Sequence, residues 1–145
     1  MTRLVALDHG SRRIGVAVGD IETGMAFARP ALRRRNEERD LAVIGELCAS
    51  EDADLIIIGL PLNMDGSEGE QAATARAFGD RLVGIGLEVA YEDERLTSWE
   101  AGERMAEAGR RARRGSGDLD STAARLILQQ YLDARRRTER LEEIE

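Results

Sequence analysis

The sequence predicts an α/β fold in which helices flank a mixed sheet of five strands. Short runs rich in β-branched and small apolar residues open the chain, apolar residues at helical spacing follow, and the two patterns then alternate. Leu4-Val5-Ala6-Leu7 and Ile14-Gly15-Val16-Ala17-Val18 read as the first two strands, joined by the turn-forming segment His9-Gly10-Ser11-Arg12-Arg13. Met25-Ala26-Phe27-Ala28 reads as a third strand ended by Pro30, so these three form an antiparallel meander. From about Asn36 to Ser50 the period changes: Leu41, Ile44, Leu47 and Cys48 mark one face of a helix.

Leu55-Ile56-Ile57-Ile58-Gly59-Leu60 is too short for a helix and apolar throughout, the signature of a strand buried on both faces. A helix through about Leu82 follows, with Ser67 and Glu70 at the spacing of a capping box. Leu87 to Tyr91 makes the fifth strand, and Thr97 with Glu100 repeats the capping spacing at a helix running to Gly109. Residues 110 to 117, RRARRGSG, have the composition of a basic loop. The last helix carries Leu119, Ala123, Leu126, Ile127, Gln130 and Tyr131 on one stripe. One domain over residues 1–137 with a charged tail over 138–145 is the expected organisation, without internal repeats.

Composition excludes several classes of function. No apolar run approaches the ~20 residues that span a bilayer, and no signal region precedes the first strand; the expected protein is cytoplasmic and makes no use of a membrane. A single cysteine, Cys48, rules out an internal disulfide and a multi-cysteine zinc site, and its helical neighbours make it a small core residue. The net charge of −7 opposes indiscriminate binding to nucleic acid. Yet all 21 basic residues are arginine, and they cluster at 12–13, 33–35, 110–114 and 135–137. Codon usage is the plain explanation for arginine alone, but it accounts less well for the clustering, and guanidinium forks suit phosphate.

Ligands of open α/β sheets gather beyond the carboxyl ends of the strands. Acids stand at three such places: Asp8 after the first strand, Asp93 and Glu94 after the fifth, and Asp118 and Asp120 before the last helix. Each has a bland reading as a turn cap, a solvated strand end or a first-turn acid. Brought together, they would repel one another unless a hard divalent cation such as Mg²⁺ or Mn²⁺ lay between them. His9 reads as a turn residue, Phe78 and Trp99 as core, and Asn63 and Asp65 as a turn or a substrate contact.

Four segments in order, LDHGSRRIGVAVGD, GLPLNMDGSEGEQA, DERLTSWEA and DSTAARLILQQYLD, resemble the YqgF/RuvX family of ribonuclease H-like nucleases over most of residues 4–133. The resemblance implies a ribonuclease H-like fold and a metal-dependent endonuclease. Family members are described as nucleases that process pre-16S rRNA or as Holliday junction resolvases. It implies that Asp8, Glu94 and Asp120 are the catalytic acids and the ligands of Mg²⁺ or Mn²⁺, two ions in all. Arg12, Arg13, Asn63, Arg95, Arg110, Arg111, Arg113 and Arg114 would bind substrate, a structured RNA or branched DNA. Arginine replaces the lysine more usual in two of the motifs, which turns a point cation into a fork. Maturation of the 5′ end of pre-16S rRNA is the leading expectation and junction cleavage the alternative, the latter calling for a two-fold homodimer. A non-catalytic nucleic-acid-binding domain is the competing reading from another class; an actin-like ATPase would need a second such domain.

Overall fold

The computed structural model describes residues 3–94 and 121–144. The expected five-stranded mixed sheet is present, in the order β3-β2-β1-β4-β5. Strands β1 (Arg3–His9), β2 (Arg13–Asp20) and β3 (Met25–Arg33) form the antiparallel meander; β4 (Ala53–Leu60) pairs parallel to β1, and β5 (Val89–Asp93) parallel to β4. Helices α1 (Glu37–Glu51) and α2 (Glu70–Gly84) cover one face and α3 (Thr122–Ile144) the other. The charged segment after Arg137 is helical as far as Ile144. The helix expected from Thr97 to Gly109, Trp99 and the basic loop lie outside the described residues.

Cover on both faces is why the central strands are apolar without alternation. Along β1, Val5 and Leu7 enter the core under α1 and α2, with Ile56, Ile58, Ile44, Phe78 and Leu82. Leu4 and Ala6 enter the core under α3, with Ile57, Ile127, Leu128 and Leu132. Cys48 is buried in the first of these, where desolvation pushes its thiol up to about 11 and keeps it a protonated core residue.

The α3 face is paved with small residues: Ala6, Ala17, Gly19, Ala26 and Gly59. A Cβ at Gly19 would stand 2.9 Å from Leu128 Cδ2 and 2.9 Å from the Met25 carbonyl oxygen, so this glycine sets how closely α3 lies on the sheet. The two glutamines of the LILQQ stretch then fasten the helix to opposite sides of the sheet. Gln129 accepts from Ala26 N at 3.1 Å and donates to the Gly24 carbonyl at 2.8 Å. Gln130 donates to Glu92 Oε1 at 2.8 Å and to the Asp93 carbonyl at 3.0 Å.

Two local expectations are corrected. β3 does not end at Pro30 but runs through it to Arg33, because β3 is an edge strand, where proline's missing N–H is tolerated. The β2–β3 register shifts at this level, between Ile14 and Val16, and Val16 donates its N–H to the buried Ser121 Oγ at 3.1 Å. The capping box at Ser67 is also absent: α2 starts at Glu70 behind Gly69, and Ser67 Oγ is engaged by Asp65 and Asn63 instead. At α1, by contrast, Asn36 caps as its residue type favours, accepting from Arg39 N at 2.9 Å. Among the described residues, no helix is long and apolar enough to cross a membrane.

Replacing Gly19 with alanine forces a methyl against Leu128 and a backbone carbonyl, and should cost ~1–3 kcal/mol. Urea denaturation of Gly19→Ala beside Leu128→Ala, which leaves a cavity and should cost ~2–5 kcal/mol, checks both.

Candidate active site

Asp8 is the penultimate residue of β1, paired with Gly15 of β2. The turn beyond it closes through Gly10, whose N–H donates to the Arg13 carbonyl at 3.0 Å. A Cβ at Gly10 would come within 2.6 Å of that same oxygen, so the glycine two residues after the acid is a requirement of the turn.

Glu94 follows β5 directly and donates its N–H to the Leu60 carbonyl at 3.2 Å, extending the β4–β5 pairing by one residue. Gly59 makes the room for its side chain: a Cβ there would meet Glu94 Oε2 and Ile127 Cδ1, each at 2.4 Å. Gln130 holds the preceding carbonyl, Asp93, from the helix side. Burial, and after it the charges of Asp8 and Asp93, push the Glu94 carboxyl up to about 7. Asp8 and Glu94 are therefore brought together at the carboxyl ends of β1 and β5.

Both acids line a cleft of about 500 Å³ together with Arg34 and, from the start of α2, Glu70, Gln71 and Thr74. A second hollow, of about 440 Å³, continues from Glu94 along Pro61 to Asn63 and Met64. Asn63 lines it, while its amide donates to Ser67 Oγ at 2.9 Å and so also holds its own loop. Arg12 and Arg13 are exposed where the β1–β2 turn enters β2. Asp120, Arg95, Arg110, Arg111, Arg113 and Arg114 lie outside the described residues.

His9 belongs to strand β1, where a turn residue was expected. Its ring packs on Phe78 with centroids 4.5 Å apart, and burial, seconded by the charge of Arg34, holds its pKa below the ordinary value. Sequence reasoning missed three contributors to this site: Arg34, Gly59 and Gln130. Arg34 donates to the Gly10 carbonyl at 3.2 Å and faces Asp40 at 3.6 Å, tying the turn beside Asp8 to the start of α1. The run of arginines at 33–35 was its only signal, and nothing in a linear sequence distinguishes the middle one.

Among the described residues no three His, Cys, Asp or Glu side chains are placed to hold a metal ion. The two acids in the cleft nevertheless suit a hard divalent cation. Their donors are all oxygen, and the repulsion that raises Glu94 is what such a cation would relieve.

The profile of the RuvX family, described as "Holliday junction resolvase", matches residues 2–134. A protein of Pseudomonas putida named "Putative pre-16S rRNA nuclease" is 45% identical over 133 residues, 90% of this chain and 94% of its own length. Proteins of the same name from Anaeromyxobacter dehalogenans and Burkholderia multivorans are 43% and 42% identical, over 92% and 90% of this chain and 98% and 88% of their own. The structure of Thermus thermophilus RuvC in complex with a Holliday junction substrate matches with a TM-score of 0.58 over 92% of this chain and 95% of that one. At 14% identity it shows the ribonuclease H-like fold alone. On the match over residues 2–134 and relatives this similar across nearly their whole length, the chain belongs to the RuvX family.

Proposed function

We propose that this protein is a metal-dependent endonuclease that hydrolyses phosphodiester bonds in the 5′ maturation of pre-16S rRNA. The observation that carries the reading is the meeting of Asp8 and Glu94 in one cleft at the strand ends, with Glu94 held at about 7. The name shared by the 42–45% identical relatives favours the rRNA precursor. The description of the family favours a second reading, cleavage of a four-way DNA junction.

Asp8 and Glu94, joined by Asp120, would hold Mg²⁺ or Mn²⁺, two ions in all, supplying an activated water and charge stabilisation for the leaving oxygen. The chain's own groups do the positioning. Glu94, seated by Gly59 and Gln130, aims its carboxylate at the attacking side and accepts hydrogen bonds once ionised. Arg34 walls the cleft and holds the Gly10 turn, so that Asp8 keeps its direction. Arg12 and Arg13, with Arg95, Arg110, Arg111, Arg113 and Arg114, grip phosphates that flank the scissile bond, and Asn63 steadies its own loop beside the cleft. Contacts of this kind position a nucleic acid without reading its sequence.

Cleavage of a 5′-extended pre-16S fragment and of a four-way junction, each with Mg²⁺, Mn²⁺ or EDTA, tests the reading. Wild type should cut the RNA with either ion, stop in EDTA, and lose at least about 100-fold in rate as Asp8→Asn or Glu94→Gln, the scale of losing preorganised charge stabilisation. Preference for the junction would transfer the activity to the second reading. Failure to cut either substrate while folded would leave a nucleic-acid-binding domain.

Stability against pH provides a second check. The ordinary carboxyl value of 4.5 applies to Glu94 in the unfolded chain and about 7 in the folded one, so between these the folded state binds the proton more tightly. This stabilisation is full below about pH 4.5 and is lost as pH rises through 7. In EDTA, wild type should lose on the order of 2 kcal/mol across that window relative to Glu94→Gln, allowing for solvent screening, and Mn²⁺ should restore part of it at pH 7.5. Parallel curves for the two proteins would contradict the raised Glu94.

A further inference from the structure

Beyond the cleft, on the far side of the Arg34–Asp40 pair, lies a separate groove of about 210 Å³. Its floor is apolar, from Ile14, Leu32 and Val43, and its rim carries Arg33, Arg35 and Arg39. All three arginines are exposed, and among the described residues none has an ion-pair partner for its guanidinium. The acids of this segment do not neutralise them. Glu37 is taken by Arg81, and Asp40 faces Arg34 and accepts from Arg35 N through Oδ1, leaving Glu38 alone against three cations. An arrangement of this kind is stabilised by an anion that spans the guanidinium groups.

We infer that the Arg33, Arg35 and Arg39 groove is a second nucleic-acid contact, taking the single-stranded flank of the substrate as it leaves the catalytic cleft. Consecutive residues connect the two places: Arg34 lines the cleft while Arg33 and Arg35 line the groove, and Asp40, which also lines the groove, faces Arg34 at 3.6 Å. From Asp8 to Arg33 is two strand spacings across the sheet and two residues along it, about 12 Å by ordinary strand geometry. At the ~3.4 Å rise per phosphate of a stacked strand, that distance spans about three or four phosphates. Three arginines around an apolar patch suit one strand, with phosphates on the guanidinium groups and a sugar or base face against the apolar lining. The arginines also supply, at the place needed, the positive field that a net charge of −7 denies the molecule as a whole.

This assignment rests on the nuclease reading, so its test separates the two. Binding is measured by fluorescence anisotropy in an Asp8→Asn background, on a pre-16S fragment with single-stranded flanks of about ten nucleotides and on one trimmed to about two, the trimmed flank falling short of the estimated reach. The variant is Arg33→Gln with Arg35→Gln and Arg39→Gln; a control carries Arg135→Gln, Arg137→Gln and Arg140→Gln on exposed α3. For the long flanks the groove variant should bind roughly tenfold more weakly, and its slope of log K against log salt should fall by about 2, the release expected for three phosphates of a single strand. The trimmed fragment should change less than about twofold by the same counterion reasoning.

Equal losses on both fragments, no loss on either, or the same slope change in the control would overturn the groove. If wild type cuts nothing yet the groove variant shows the flank-dependent loss, the nuclease reading fails and the groove stands. If wild type cuts and the variant binds like its parent, the groove alone fails.

Discussion

The close approach of α3 to the sheet is the constraint on which the site depends. A helix normally stands off a sheet by the bulk of the side chains between them, and here alanines and glycines remove that bulk along four strands. Contact at this distance lets one hydroxyl, that of Ser121, reach a backbone amide in the middle of β2, and lets two adjacent glutamines reach opposite sides of the sheet. Each bond would be modest alone, about 1 kcal/mol. Together they leave α3 one register on the sheet.

That register explains how a strand end and a helix cooperate in holding Glu94. The residue has no regular element of its own; it is held by a last ladder bond to Leu60, by Gln130 on the carbonyl before it, and by the space Gly59 leaves. Bringing its carboxylate beside Asp8 in a partly desolvated cleft is unfavourable for the isolated chain, and the well-packed core on both faces of the sheet compensates for it. Strain of an electrostatic kind concentrated at the strand ends is what distinguishes this cleft from the rest of the surface.

The sheet was legible because its signals are local: a strand buried on both faces is apolar from end to end. Asp8 and Glu94 stood out only as acids at strand ends, and choosing them from the other acids took the family resemblance. Features that depend on which elements become neighbours were not legible. Pro30 reads as a strand end until β3 is known to lie at the sheet's edge. Ser67 reads as a helix cap until Asp65 and Asn63 are seen to claim its hydroxyl. Gly59, Gln130 and Arg34 each acquire meaning only through a partner far along the chain, and their residue types are common in roles that have nothing to do with a site.

The edge strand β3 bears on how the protein behaves among its own copies. Met25 and Phe27 stand more than half exposed on a strand that, among the described residues, is paired on one side only, a combination that invites another chain to add itself to the sheet. Pro30 interrupts the donors such an addition would need, the shifted register at that level bends the edge, and Arg29 and Arg33 set charge along it. The strand thus resists templating by neighbours while keeping its apolar residues, and a variant that straightened it would be expected to fold well and store badly.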